Sequence, residues 1–379
     1  MKIALLTDGV FPYSIGGMQK HSYYLAKYFA KNKVFVDLYY PQSAESEIPS
    51  FDCYSIDEKQ YLNFISISYP KAKRFPGHYL AEMIEYSERI AAKLIKEKQV
   101  DFVYAQGFTG TYLIKNKIML NFNVPIGVNF HGLEMFQKAS NLRTKLEQFL
   151  FRNTVSLTLR KSDFVFSLGG KLNKIIENIG VKKEKIITIP IGLDSDWFTN
   201  EPIVVNKIRK FIFVGRYERR KGIEEINLVL KNLSSEIDYT FEFIGPVPDD
   251  KKINLNNVHY HGVISDTSKI RNILKTCDVL VCPSYSEGMP TVIMEGMASG
   301  LIVIASNVGA VSEQVNASNG FLIAPGSVRD LKNAVLNCIA LNNDKLLEMK
   351  VESKKIVLEK FDWDKISVDL IKRIQQIIY

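Results

Sequence analysis

The sequence predicts an α/β protein built as two doubly wound parallel-sheet domains that face each other across a cleft. Short apolar runs alternate with helix-period segments along the whole chain, the pattern of parallel strands joined by crossover helices. The chain has 379 residues, beyond the size at which one core keeps growing. A Gly/Pro-marked turn, Ile189-Pro-Ile-Gly-Leu-Asp-Ser-Asp-Trp-Phe198, ends a first series of strands, and a polar stretch to about Asn206 reads as a linker.

In the first half the expected strands are Ile3–Leu6, Val34–Tyr39, Phe102–Ala105, Ile126–Phe130, Phe164–Ser167 and Ile186–Ile189. In the second half they are Lys210–Val214, Tyr239–Ile244, Val258–His261, Val279–Cys282 and Ile302–Ala305. The last stretch, from Phe361 to Tyr379, repeats Ile366, Leu370, Ile371, Ile374 and Ile378 at helical spacing. Ligands of such sheets bind outside the carboxyl ends of the strands, so the segments that follow strands deserve the closest reading.

Composition narrows the class. Hydrophobic content of 46% and charge of 24% are those of an ordinary soluble protein. There is no run of 18 apolar residues, so no transmembrane helix is expected. The N-terminus reads as a first strand, not a signal peptide. Cys53, Cys277, Cys282 and Cys338 are scattered without paired spacing, which suggests a cytoplasmic chain with neither disulfide framework nor zinc site.

The net charge of +8 lies entirely in the first half: residues 1–195 hold 26 Lys+Arg against 18 Asp+Glu, and residues 196–379 hold 23 against 23. That asymmetry reads either as a lysine-rich solvated surface or as a face for an anionic membrane, with Lys71, Lys73 and Arg74 the preferred contact. No nucleic-acid-binding pattern accompanies it, so nucleic acid is not an expected partner.

Four segments carry chemistry. After the first strand, Gly16 and Gly17 allow close backbone approach at a helix start near Gln19; alone, a glycine pair marks a plain turn. After Ile126–Phe130 comes His131-Gly-Leu-Glu134, whose histidine can face a cleft and donate a hydrogen bond, or simply be a satisfied structural histidine. After Lys210–Val214 come Gly215 and Arg216, then Lys221-Gly222 opening a helix at Ile223. Arg216 and Lys221 can reach one diphosphate, while Arg219 and Arg220 read as solvated or salt-bridged. After Val279–Cys282, Glu287-Gly288-Met289-Pro290-Thr291 leads into a helix with Pro290 as its first residue and Gly300 closing it. Free amides there favour a phosphate, and Glu287 and Glu295 suit sugar hydroxyls. Standing alone, the two glutamates would read as a cap and a surface charge.

The ordered set GG, HGxE, GR…KG and EGxPxxxxE resembles the retaining glycosyltransferases of family 4, over nearly the whole chain. Further family-like stretches are Cys277-Asp-Val-Leu-Val-Cys-Pro-Ser284 and Val308-Gly-Ala-Val-Ser-Glu313. The resemblance implies the GT-B fold: two Rossmann-like domains facing a cleft, with a C-terminal helix crossing back to the first. The domains would be 1–198, binding the acceptor, with 361–379 packed back on it, and 199–360, binding the nucleotide sugar. The departures are Ile191 in place of a common Asn, a missing glycine after Gly245, and Ala310 in place of one glycine of a pair. All fall in loops.

By the same resemblance, His131, Arg216, Lys221 and Glu287 would be catalytic. Arg216 and Lys221 would neutralise the leaving diphosphate. Glu287, with the Gly288 and Met289 amides, would hold the transferred sugar, Glu295 the ribose, Gly17 the phosphate, and Gly262 and Val263 the base. The implied partners are a nucleotide diphosphate sugar, UDP-sugar first and GDP-sugar second, and a glycan or lipid-linked acceptor, in surface polysaccharide synthesis. No cofactor or metal is implied, because the donor's own phosphate would take the acceptor proton in a front-face attack. A sugar-nucleotide epimerase, a phosphorylase and a non-catalytic sugar-nucleotide binder share the fold and stand as alternatives.

Overall fold

The computed structural model describes residues 1–43, 47–71, 77–97, 99–233 and 236–379. Among these residues a seven-stranded sheet comprises β1 (Lys2–Leu6), β2 (Phe35–Gln42), β3 (Leu62–Ser68), β4 (Phe102–Gln106), β5 (Ile126–Asn129), β6 (Phe164–Ser167) and β7 (Ile186–Thr188), in the spatial order β3-β2-β1-β4-β5-β6-β7. A six-stranded sheet comprises β8 (Arg209–Val214), β9 (Tyr239–Ile244), β10 (Val258–Tyr260), β11 (Val279–Cys282), β12 (Ile302–Ser306) and β13 (Gly320–Ile323), ordered β10-β9-β8-β11-β12-β13. Neighbouring strands pair in parallel. Strand order reverses between β1 and β4 and again between β8 and β11, the points where a doubly wound sheet opens a crevice.

Helices cover both faces of each sheet, which is why the central strands are continuous apolar runs. Ile3, Ala4, Leu5 and Leu6 are fully buried, as are Val279 and Leu280. Every expected strand is present, with β6, β9 and β11 matching at both ends. Two strands were not anticipated, β3 and β13, and both lie at a sheet edge. Helix starts differ slightly from expectation. The first helix, Gly17–Lys31, begins two residues before Gln19. Pro290 is the N-cap of the helix Thr291–Ala298 and not its first residue. Gly300 follows that helix in the left-handed region, at φ 81°.

The chain crosses back to the first domain at its end. The helix Asn343–Lys360 packs on Thr291–Ala298, and Leu193 N–H then donates to the Phe361 carbonyl at 2.6 Å. The last helix, Trp363–Ile378, lies on Gly17–Lys31. Fully buried Trp363 stacks on Tyr24 and Tyr28 at 5.9 and 5.7 Å between ring centroids. Gly192 permits this packing, because a Cβ there would stand 2.5 Å from Trp363 Cγ.

The linker is docked by a buried ion pair. Lys350 Nζ donates to Asp278 Oδ1 at 2.9 Å and to the carbonyls of Val204 and Cys277 at 2.6 and 3.0 Å. Asp278 also accepts from the Asn206 and Lys210 amides. Both side chains are almost wholly buried, so each stabilises the structure only while the other is present. Lys350→Ala leaves a buried carboxylate unpaired and should cost roughly 3–5 kcal/mol. Urea unfolding followed by circular dichroism measures this, and a shift below 1 kcal/mol would contradict the account.

Candidate active site

The two sheets turn their carboxyl ends toward one cleft of about 1050 Å³. Its first-domain wall comes from the loops after β1, β2, β4 and β5, with Tyr69 and Tyr86; its second-domain wall comes from the loops after β8 and β11. Of the residues expected in the site, Gly17, His131, Gly215, Arg216, Lys221, Glu287, Gly288, Met289, Pro290 and Thr291 line it.

The two walls touch through glycines. A Cβ on Gly132 would stand 3.2 Å from the Gly288 nitrogen, and one on Gly288 would stand 3.2 Å from Gly132 Cα. Gln137 ties this contact together, donating to the Gly132 carbonyl and, at 2.6 Å, to the Glu287 carbonyl. Sequence reading did not single out Gln137.

The charged centre sits beside this contact. Lys221 Nζ meets Glu287 Oε1 at 2.6 Å, both largely buried. Arg220 approaches Glu287 Oε2 and Glu134 Oε1, each at 3.7 Å, and bonds Glu218 at 2.8 Å. Arg220 therefore is salt-bridged as expected, but it also lines the cleft. Arg219 turns away to a two-point pair with Glu225 at 2.7 and 2.9 Å. Arg216 is 68% exposed at the rim and pairs with Glu218 at 3.0 Å. Burial pushes the Glu134 carboxyl up, against the pull of Arg220. The helix Thr291–Ala298 has no side-chain cap, so the first-turn amides of Thr291 and Val292 stand at the cleft beside these cations. Uncapped amides plus three cations make a site for a polyanion.

His131 differs from expectation in its hydrogen bonding. Its backbone is in the left-handed region at φ 53°, held by a 2.7 Å bond from its amide to Asn129 Oδ1. The ring Nε2 lies 2.5 Å from Gln106 Oε1, and Gln106 Nε2 lies 3.0 Å from His21 Nδ1. Because an amide oxygen only accepts, His131 carries its proton on Nε2, so its donor serves buried Gln106, which does not line the cleft, and Nδ1 is left as an acceptor. Burial lowers the His131 pKa to about 4, which keeps the ring neutral. Burial, and then His131 itself, also push His21 well below its usual value. Gln106 was missed at sequence level, although a glutamine ending the apolar run Phe102–Ala105 was a readable signal.

Asp8 is a second unanticipated group. It lines the cleft at the end of β1, and burial raises its carboxyl to about 6 against hydrogen bonds from its backbone surroundings and Gln19.

Four expected site residues do not line the cleft. Gly16 is the N-cap behind Gly17. Glu295 lies on the helix but is held by Lys20 of the first domain at 3.2 Å. Gly262 sits in a turn whose carbonyl accepts from Gly245, and Val263 is 73% exposed beside it; their strand β10 is the sheet edge, away from the switch point. Of the basic cluster, expected at a membrane and not in the cleft, Lys73 and Arg74 lie outside the described residues.

This cleft belongs to a two-domain sugar-transfer fold, and comparison with known proteins agrees. The family model "Glycosyltransferase Family 4" matches residues 15–197, and "Glycosyl transferases group 1" matches residues 198–355. An uncharacterized glycosyltransferase of Methanocaldococcus jannaschii is 27% identical over 378 residues, covering 96% of this chain and 95% of its own length. The N,N'-diacetylbacillosaminyl-diphospho-undecaprenol alpha-1,3-N-acetylgalactosaminyltransferase of Campylobacter jejuni is 25% identical over 280 residues, covering 67% and 71%. Among solved structures, Anabaena HepE in complex with UDP-glucose superposes with a TM-score of 0.69 at 19% identity, covering 99% of this chain and 100% of that one. The chain belongs to the family 4/group 1 glycosyltransferases and has their GT-B fold. It is a glycosyltransferase enzyme whose relatives include enzymes of bacterial polysaccharide synthesis.

The shifted groups give the fold a pH signature. His131 is neutral when folded down to about pH 4 but takes a proton near 6.5 when unfolded. The unfolded state therefore binds more protons between those values, and stability falls as pH drops through that window. Asp8 acts in the opposite sense: folded, it keeps its proton up to about 6, against 3.8 unfolded, so its burial costs stability as pH rises through that range. His131→Asn should thus lose less stability than the parent between pH 7 and pH 5, and Asp8→Asn should gain on the parent as pH rises from about 4 to about 6, with no further gain above that. Urea midpoints across pH read both, and parallel curves for parent and variants would contradict the assignment.

Proposed function

We propose that this protein transfers a hexose from a nucleotide diphosphate sugar, with UDP-sugar favoured, to a hydroxyl of a glycan or lipid-linked acceptor, retaining the anomeric configuration. The observation that carries the reading is the Lys221–Glu287 pair beside an uncapped helix start, facing neutral His131 in one cleft. A diphosphate suits the cations and amides. A sugar ring suits acceptor groups, and here Glu287 and His131 Nδ1 both accept from hydroxyls.

In this reading the acceptor oxygen attacks the anomeric carbon from the face the leaving group departs. The bond from that carbon to the phosphate oxygen breaks, and the acceptor's proton passes to that oxygen. Nucleoside diphosphate leaves with the bonding pair. Arg216, Arg220 and Lys221 stabilise the charge that grows on the diphosphate, the role a metal would otherwise take. Support for UDP comes from HepE, which was solved with UDP-glucose. Support for a lipid-linked acceptor comes from the name of the Campylobacter jejuni relative.

Isothermal titration against UDP and GDP tests the donor, and binding of neither would sink the reading. NMR of the product's anomeric proton, without added metal, tests retention and metal independence. Lys221→Ala should lower kcat by roughly 100- to 1000-fold, as for removal of one transition-state charge partner. An undiminished rate would remove Lys221 from the site.

A further inference from the structure

The helix Leu142–Lys161 is apolar on two opposite sides. Val155 and Leu159 are fully buried against the first domain, with Gln148 and Thr158 on the same side. On the other side Leu142, Leu146, Phe149 and Leu150 are exposed by 80, 72, 69 and 53%. Their spacing at i, i+4, i+7 and i+8 gathers them on an arc about 100° wide. Four neighbouring large apolar side chains in water call for a partner.

Charge identifies that partner. Arg143 and Lys145 flank the arc on its two sides, and both are exposed. The helix carries Arg143, Lys145, Arg152, Arg160 and Lys161 against the single acid Glu147, which Arg143 already engages at 2.9 Å. An apolar arc bordered by cations is the make-up of a helix that lies in a membrane interface. A second copy of the chain fits poorly, since a two-fold contact would bring like charges together. Among the described residues no helix is long and apolar enough to cross a membrane. The helix also adjoins the cleft: Gln148 Nε2 donates to the Glu134 carbonyl at 2.9 Å and Arg152 Nε to that of Met135 at 2.7 Å, and both acceptor residues line the cleft.

We propose that the helix Leu142–Lys161 seats the protein on an anionic lipid bilayer, with Leu142, Leu146, Phe149 and Leu150 in the acyl boundary and Arg143 and Lys145 at the lipid phosphates. The cleft mouth then opens at the membrane surface. This assignment moves the basic contact from Lys71–Arg74 to a helix, and it does not rest on the sugar-transfer reading.

Flotation with phosphatidylcholine vesicles, with and without phosphatidylglycerol, tests it on the full chain. The parent should float with the anionic vesicles, less so at high salt. The Leu146→Gln/Phe149→Gln double variant should bind at least tenfold more weakly. Arg143→Gln/Lys145→Gln should lose about fivefold per charge, and only on anionic vesicles. UDP titration of each protein checks the fold and the donor site separately: unchanged UDP affinity with lost flotation supports the proposal. Flotation of the double variant equal to the parent, absence of parent flotation, or a parent dimer that the double variant dissociates would overturn it. Flotation without binding of either UDP or GDP would sink the sugar-transfer reading and leave this one standing.

Discussion

The site depends on a backbone contact between two domains, where the loop after β5 meets the loop after β11 at Gly132 and Gly288. A Cβ at either position would stand 3.2 Å from backbone atoms of the opposite wall, so the walls would have to give by a few tenths of an ångström. With them in contact, Gln137 reaches from the first domain to the Glu287 carbonyl. His131, three residues before the start of that wall's short Glu134–Phe136 turn, is thereby set opposite Glu287 and Lys221. The close approach also limits water around the pair, and a drier setting strengthens each charge interaction there.

Charges in so confined a place must be balanced. Arg220 and Lys221 are compensated by Glu134, Glu218 and Glu287, with carboxylates drawn from both domains. The neutral groups are governed in the same way. Gln106 spends its two amide functions on two imidazoles, donating to His21 and accepting from His131. His21, itself buried behind the cleft, in turn packs on Trp363 at 5.5 Å, so the crossing helix at the chain's end supports the cleft ring of His131 through His21 and Gln106. The last helix thus shares in building the site although no residue of it lines the cavity.

How much was legible in advance follows from burial. Strands covered on both faces are unbroken apolar runs, and those were found. The edge strand β3, Leu-Asn-Phe-Ile-Ser-Ile-Ser68, alternates apolar with polar residues because only one side is covered, and β13 is a short run opened by Gly320; neither has the signal of a central strand. In the site, the residues carried by loops at the switch points line the cleft, as their place after a strand suggests. Glu295 does not line it. Its spacing from Glu287 along a helix is a local property, whereas its pairing with Lys20 is made by a helix 275 positions away in the chain. Gly262 and Val263 follow a strand too, but that strand is at the sheet edge.

The amino-acid order alone determined the two doubly wound domains, the turn between them, the cleft-lining loops and the family. These are consequences of hydrophobic periodicity, glycine and proline placement, and motifs read along a few residues. Only the tertiary structure decided which charges pair across the cleft, which nitrogen of His131 holds its proton, and which apolar residues of the helix Leu142–Lys161 remain uncovered. Each of those depends on what another, distant segment supplies: a carboxylate, an amide oxygen, or nothing at all on the outward side of the helix. Pairing, tautomer and exposure are relations between surfaces, and a linear pattern does not contain them until the surfaces meet.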